Sequence, residues 1–380
     1  MGPGQPIALS YFPAFLTHDQ PHCPSRKKAG IHERDNSDTA GAATLPHEPD
    51  GQESPQEFCP QERTFSAALQ QFEEQMKAAE VVSPATRPIN LYYGLAQAGL
   101  AITAAHSEGT WTFDKHGLKI LDMKSDIPDI AVRPEGVGAF QAVSGATGSE
   151  RTTDAVSLGS IWNSIPELVE VPLEGSKHTP VVDLLARSYV PARDLGGWFD
   201  NTTREPTGYV RATVFVHEDT PPLPDRGMWV KDFIAKYAGL QSARVWGDED
   251  EAFEEIKAGC FSVDLCWPAP KNDMQEVDIE EFFDARAPVY RFRAHRCLRA
   301  AFEPSKAPPT PLMSWWLLLY SFSMLARYQP RKWTEALDID RSPDAAALEY
   351  ALNTALEVVP HLVLEGLQQR SIPLSKPLAL

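Results

Sequence analysis

The sequence predicts an α+β fold, on three observations. Apolar residues recur at helical spacing near both ends of the chain, around 65–105 and 310–370. Between them, from about 110 to 300, short apolar stretches are separated by Gly and Pro. Strands and helices do not alternate in the way a doubly wound sheet requires. Together these describe a helical core, formed by the N-terminal and C-terminal helices, with a mostly antiparallel β region between them.

Taken in order, residues 1–62 read as a disordered tail. Between 17 and 62 only Ile31, Leu45 and Phe58 are large and apolar. Such a segment buries too little surface to offset the entropy of ordering it. Phe65, Leu69, Phe72 and Met76 then mark an amphipathic helix to about Val82. Ser83-Pro84 and Arg87-Pro88 interrupt it, and Pro88 suits the first turn of a second helix. That helix, Ile89 to about Ala105, is apolar nearly all round and slimmed by Gly94, Ala96, Ala98, Gly99 and Ala101. It belongs in the centre of a core, where another helix can approach closely.

In the middle, Ala131 to Val143 reads as a hairpin around Gly136 and Gly138, and Tyr209 to Val216 as a β-branched strand. Leu158 to Val169 and Asp225 to Tyr237 read as short helices. The acidic run from Asp248 to Glu255 reads as helix-like. Val289 to Ala294 alternates, with Arg291 and Arg293 on one face. Thr310-Pro311 opens the most apolar helix, ended by Arg327 and Pro330. Ser342-Pro343-Asp344 opens the last long helix, where Pro360 kinks the chain or begins another turn. Because the first and last helices are the most apolar, they should meet. Residues 63–380 are therefore expected to form a single interdependent unit.

Composition narrows the function classes. Over 380 residues, 35 basic against 52 acidic side chains give a net charge of −17, which argues against broad nucleic-acid binding. Met1 to Leu16 lacks the basic start of a secretory signal. The apolar run Leu312–Ala326 is shorter than the roughly 20 residues a bilayer needs, so no membrane span is expected. The five cysteines are odd in number and show no CxxC pair, so neither a disulfide framework nor a zinc site is suggested. These bounds point to a reducing cytoplasm.

Three segments, in order, carry a resemblance. They are Arg87-Pro88 with Leu91-Tyr92-Tyr93-Gly94 and His116-Gly117-Leu118; Ile165-Pro166-Glu167-Leu168; and Leu317 to Tyr328, followed by Trp333 and Pro360-His361-Leu362-Val363-Leu364. They resemble the YaaC-like family of bacterial proteins over roughly 63–370. The resemblance implies a soluble bacterial cytoplasmic protein and supplies no catalytic role.

Tests for standard chemistry fail. Gly136-Val137-Gly138 lacks the third glycine of a dinucleotide fingerprint, and Gly175-Ser176-Lys177 lacks the upstream glycine of a phosphate loop. No GxSxG surrounds Ser144 or Ser160. Glu255-Ile256-Lys257 fits a solvated face better than a metal-dependent nuclease site. Cys297, beside His295, Arg296 and Arg299, is a plain buried cysteine or a thiol with lowered pKa. No cofactor is expected.

Two constellations remain. Arg87, Tyr92, Tyr93, His116, Arg327, Tyr328 and Trp333 would line one cleft for an anionic or planar ligand if the apolar helices pack together. The structural alternative ties each arginine to backbone carbonyls and acids. Arg291 and Arg293 would contact an anion or nucleic acid, or simply pair with the preceding acidic run. Three functions follow: a non-catalytic binding or interaction protein; an enzyme acting on nucleic acid or a nucleotide; or a subunit whose apolar helices form a homodimer or meet a protein partner.

Overall fold

The computed structural model describes residues 60–176, 181–191, 208–218, 220–248, 251–269, 278–286, 289–292, 295–302, 305, 307–370 and 372. Helix α1 (Pro60–Val81) buries Phe65, Leu69, Phe72 and Met76. Its outer face carries pairs one turn apart, Lys77 to Glu73 at 2.7 Å and Gln70 to Glu74 at 3.1 Å. A short turn leads to α2 (Arg87–His106), with proline in its first turn and most of its middle buried.

The slimness of α2 has a clear use. A Cβ on Gly99 would lie 2.5 Å from the Trp316 ring and 2.6 Å from Val143. Trp316 belongs to α7 (Pro311–Tyr328), whose residues Leu312 to Leu325 are all buried. At the other end of α2, a Cβ on Gly366 would meet Ile102 at 2.9 Å. Gly366 lies in α9 (Ala345–Gln368), which continues as helix through Pro360. A short helix α8 (Pro330–Ala336) joins α7 to this segment. The first and last helices do meet, as the sequence predicts.

Within this core lies a small antiparallel sheet, β1 (Leu118–Leu121), β2 (Ala131–Pro134) and β3 (Val156–Ser157), in that order. Residues 131–143 are not a hairpin. The strand β2 pairs back onto β1, and the chain then enters α3 (Ala139–Ala146). The two glycines deliver this change of direction rather than a hairpin turn. Gly136 has a left-handed backbone at φ 67°, and a Cβ on Gly138 would sit 2.5 Å from the Lys115 carbonyl oxygen. Helix α4 (Leu158–Asn163) follows β3, capped by the Ser157 hydroxyl accepting from the Ser160 N–H.

A second core belongs to a seven-stranded antiparallel sheet. Its strands are β4 (Val182–Pro191), β5 (Gly208–Val216), β6 (Arg244–Val245), β7 (Phe253–Lys257), β8 (Cys260–Pro268), β9 (Val289–Phe292) and β10 (His295–Leu298). The order is β6-β8-β5-β4-β10-β9, with β7 also on β8. One face buries Val210, Val214, Val263, Leu265 and Trp267 against α5 (Arg226–Lys236), with Phe283 of α6 (Ile279–Asp284) in the same cluster. The acidic segment expected to be helix-like ends in strand β7, where Glu254, Glu255, Ile256 and Lys257 are exposed. An edge position on β8 tolerates this run because only Phe253 turns inward.

Candidate anion site

The last turns of α7 place Tyr320, Met324 and Arg327 at helical spacing on neighbouring positions of one face. Helix α2 passes alongside and contributes Tyr92 and Tyr93. His116 comes from the loop before β1. That loop is fixed by the start of α3, whose Ala139 and Phe140 N–H groups donate to the carbonyls of Lys115 and His116.

Tyr92 is fully buried at the bottom of this cluster. Its hydroxyl lies 2.9 Å from His116 Nδ1, and its ring contacts those of His116 and Tyr320, each at 5.5 Å between centroids. Tyr320 donates its hydroxyl to the Leu118 carbonyl at 2.9 Å, joining α7 to β1. Burial pushes the Tyr92 hydroxyl far above the ordinary tyrosine value. It pushes Tyr320 up to about 12, against an opposing pull from Arg327. Burial, and then the Arg327 charge, lower the pKa of His116. Both phenols are therefore neutral near pH 7, and so is the imidazole. With the hydrogen on His116 Nε2, the Tyr92 hydroxyl donates to Nδ1.

Arg327 lies above them at the C-terminal end of α7, where the helix dipole favours a cation. Its Nη1 donates to the Tyr93 hydroxyl at 2.7 Å, while Nε reaches the Ser323 carbonyl at 3.4 Å and Nη2 the Met324 sulfur at 3.4 Å. The guanidinium carbon lies over the rings of Tyr93 at 5.5 Å and Tyr328 at 5.2 Å. Tyr328 is 60% exposed and Tyr93 36%, so the group opens to solvent. Among the described residues no carboxylate pairs with Arg327. Glu135, whose charge reaches Tyr320, is itself held by Lys119 at 3.4 Å and Arg133 at 3.3 Å.

Two residues expected in the cleft lie elsewhere. Arg87 donates to the carbonyls of Ala79 (3.0 Å) and Val82 (3.1 Å) and to Asn353 Oδ1, tying the end of α1 to α9. Trp333 is buried, packs at a tilt against Phe322, and donates its indole N–H to the Ala85 carbonyl at 3.1 Å. Both are packing residues. An arginine that directly follows the Ser83-Pro84-Ala85-Thr86 turn has helix-end carbonyls within reach, and these satisfy it before any ligand can. Tyr320 was missed in sequence, although it lies seven residues before Arg327 and so on the same helical face.

The second constellation falls largely outside the described residues. Arg291 lies in β9 opposite Arg296 of β10, but its side chain and all of Arg293 fall outside the described residues. Arg296 is buried against Glu280, with Nη1 to Oε1 at 3.2 Å and a second, shorter contact from Nη2 to Oε2. Cys297 points to the opposite face and its thiol reaches Asp183 Oδ1 at 3.5 Å. Burial and then Asp183 raise its pKa well above the ordinary thiol value. It is the plain buried cysteine, not an activated one, because alternation along β10 turns it away from Arg296.

Among the described residues no group of three His, Cys, Asp or Glu converges to hold a metal ion, and no helix is long and apolar enough to cross a membrane. Fold and site together define an antiparallel α+β protein with two cores and a cation-and-tyrosine cluster on the helical one. The chain belongs to the YaaC-like protein family, whose model matches residues 50–367. No curated protein and no solved structure matches it.

Proposed function

We propose that this chain is a non-catalytic binding protein of the bacterial cytoplasm that holds a small phosphate- or carboxylate-bearing ligand at Arg327. One observation carries the reading: an arginine at an open edge, flanked by two tyrosines, without a carboxylate partner among the described residues. Guanidinium N–H groups in that state suit a bidentate anion, and the adjacent phenol faces suit a planar group. The neutral His116 favours a second reading, an enzyme acting on a nucleotide or nucleic acid with the imidazole as acid or base. The homodimer reading loses its expected surface, because Leu312 to Leu325 of α7 are all buried.

A thermal-shift comparison of the full chain with adenosine monophosphate, inorganic phosphate and citrate tests the site. A ligand at about 100 times its dissociation constant stabilises by about 2.7 kcal/mol. The midpoint should rise for the unmutated chain and not for Arg327→Ala. Equal shifts in both would remove Arg327 from the site. Turnover of an added nucleotide that is abolished in His116→Gln would instead favour the enzyme.

A further inference from the structure

The outer edge of His116 carries a donor that the protein does not use. Its Nδ1 faces inward, 2.9 Å from the hydroxyl of the fully buried Tyr92. The two nitrogens of an imidazole point in nearly opposite directions, so Nε2 turns out of the core, and the residue is only half-buried. With Tyr92 donating to Nδ1, the ring hydrogen sits on Nε2. Among the described residues nothing accepts it. Arg327 belongs to the same cluster. The Tyr92 ring lies 5.5 Å from that of His116 and 5.8 Å from that of Tyr93, over which the guanidinium sits at 5.5 Å.

We infer that His116 Nε2 and Arg327 hold one phosphoryl group, so that the ligand is a phosphate monoester in its doubly charged form. This rests on the reading of Arg327 as an anion site. The count of acceptors selects the class. A carboxylate has two oxygens, and a bidentate guanidinium occupies both; a terminal phosphoryl group has three and accepts from a second direction as well. His116 comes from the loop before β1 and Arg327 from the end of α7, so two elements supply the donors. The groups at the opening chiefly donate. The Tyr93 hydroxyl, having accepted from Arg327 Nη1, still has its own hydrogen to give. Gln141 turns its amide inward, with Nε2 on the Gly117 carbonyl at 2.8 Å and Oε1 buried. An ionised phosphoryl oxygen therefore suits this edge better than one still carrying a hydrogen. The charges agree. Glu135 is held between Lys119 and Arg133, and Asp114 and Lys115 flank His116 in the chain as one acid and one base. With Arg327 the rim is net positive, in a chain whose overall charge is −17.

Calorimetric titration of the full chain tests this at about pH 7.5, above the second phosphate pKa. Three ligands share one base and sugar: adenosine monophosphate, its cyclic diester, and the adenosine carboxylic acid in which the phosphate-bearing carbon is a carboxylate. The monophosphate should bind about 10-fold or more tightly than the other two, as one hydrogen bond to a charged group is worth. His116→Asn keeps an acceptor for Tyr92, its Oδ1 standing near the place of Nδ1, and removes the outer donor. It should erase the preference. His116→Gln returns an N–H near the place of Nε2 and should keep most of it. Arg327→Ala should weaken all three ligands. Equal affinity for the three in the unmutated chain, or a preference undiminished in a folded His116→Asn, would overturn the inference while leaving Arg327 as an anion site. Binding of none, or binding indifferent to Arg327→Ala, would overturn that site and this inference with it.

Discussion

The two cores treat their arginines differently. In the sheet unit, Arg211 is paired with Asp264 at 3.1 Å and lies over Trp246, while Arg296 is clasped by Glu280. Asp264 also accepts from the Thr213 hydroxyl, which in turn accepts from Arg187 Nε at 2.8 Å. In the helical unit, Arg87 is satisfied by carbonyls at the end of α1, and Arg327 has a phenol, a weak carbonyl contact and a thioether. Cross-strand neighbours bring Arg211 and Asp264 together, because a sheet alternates polar and apolar faces, and α6 supplies Glu280 to Arg296. A helix as apolar as α7 has no acidic neighbour on its own turns, so its terminal arginine remains open to an outside anion.

That contrast is best broken first at the packing that holds Arg327. Trp316→Ala removes a fully buried ring wedged against Gly99 and should destabilise the protein by about 3–5 kcal/mol in urea unfolding. We propose that the two cores melt as one unit. A single transition, seen alike by far-UV circular dichroism and tryptophan fluorescence, is therefore expected in both proteins. Two separated transitions would make them independent domains.

At the site itself, Arg327→Ala should lower affinity for adenosine monophosphate about 10- to 100-fold, the range for hydrogen bonds to a charged group. Arg87→Ala sharpens the distinction between the two helical arginines. It should leave anion affinity unchanged and destabilise by about 1–3 kcal/mol, since helix-end carbonyls lose their donors.

The smallest expected effect is a pH slope. Burial, chiefly, lowers His116 below its usual value near 6.5. The unfolded chain then binds more protons than the folded one between those two values. Stability should fall as pH drops from 6.5 toward the folded pKa, and level off below it. The urea midpoint of His116→Gln should fall less over that window than that of the unmutated protein. An identical fall would show that His116 is not buried against Tyr92 as described.

Much of this organisation was readable in the sequence because helices declare themselves locally. The spacing of Phe65, Leu69, Phe72 and Met76, and the glycines and alanines of α2, predict both the helices and their close approach. Strand placement was harder. The Gly136 and Gly138 pair suggested a hairpin, but β2 finds its partner in the earlier β1, and the glycines lead into a helix instead. The acidic content of residues 248–255 masked β7, whose strand character comes from pairing with β8 rather than from its own residues. The cluster of Tyr92, Tyr93, His116, Arg327 and Tyr328 could be named from composition. What separated Arg87 and Trp333 from it was which carbonyls lie within reach, and that is a property of the folded chain alone.

The most direct test compares Arg327 with Arg331, an exposed arginine four residues on that already pairs with Glu335 at 2.9 Å. Calorimetric titration of adenosine monophosphate into the unmutated chain, Arg327→Ala and Arg331→Ala changes the net charge equally in both variants. The account predicts binding that is lost or weakened about 10- to 100-fold in Arg327→Ala and unchanged in Arg331→Ala. Equal weakening in the two variants, or none in either, would contradict it.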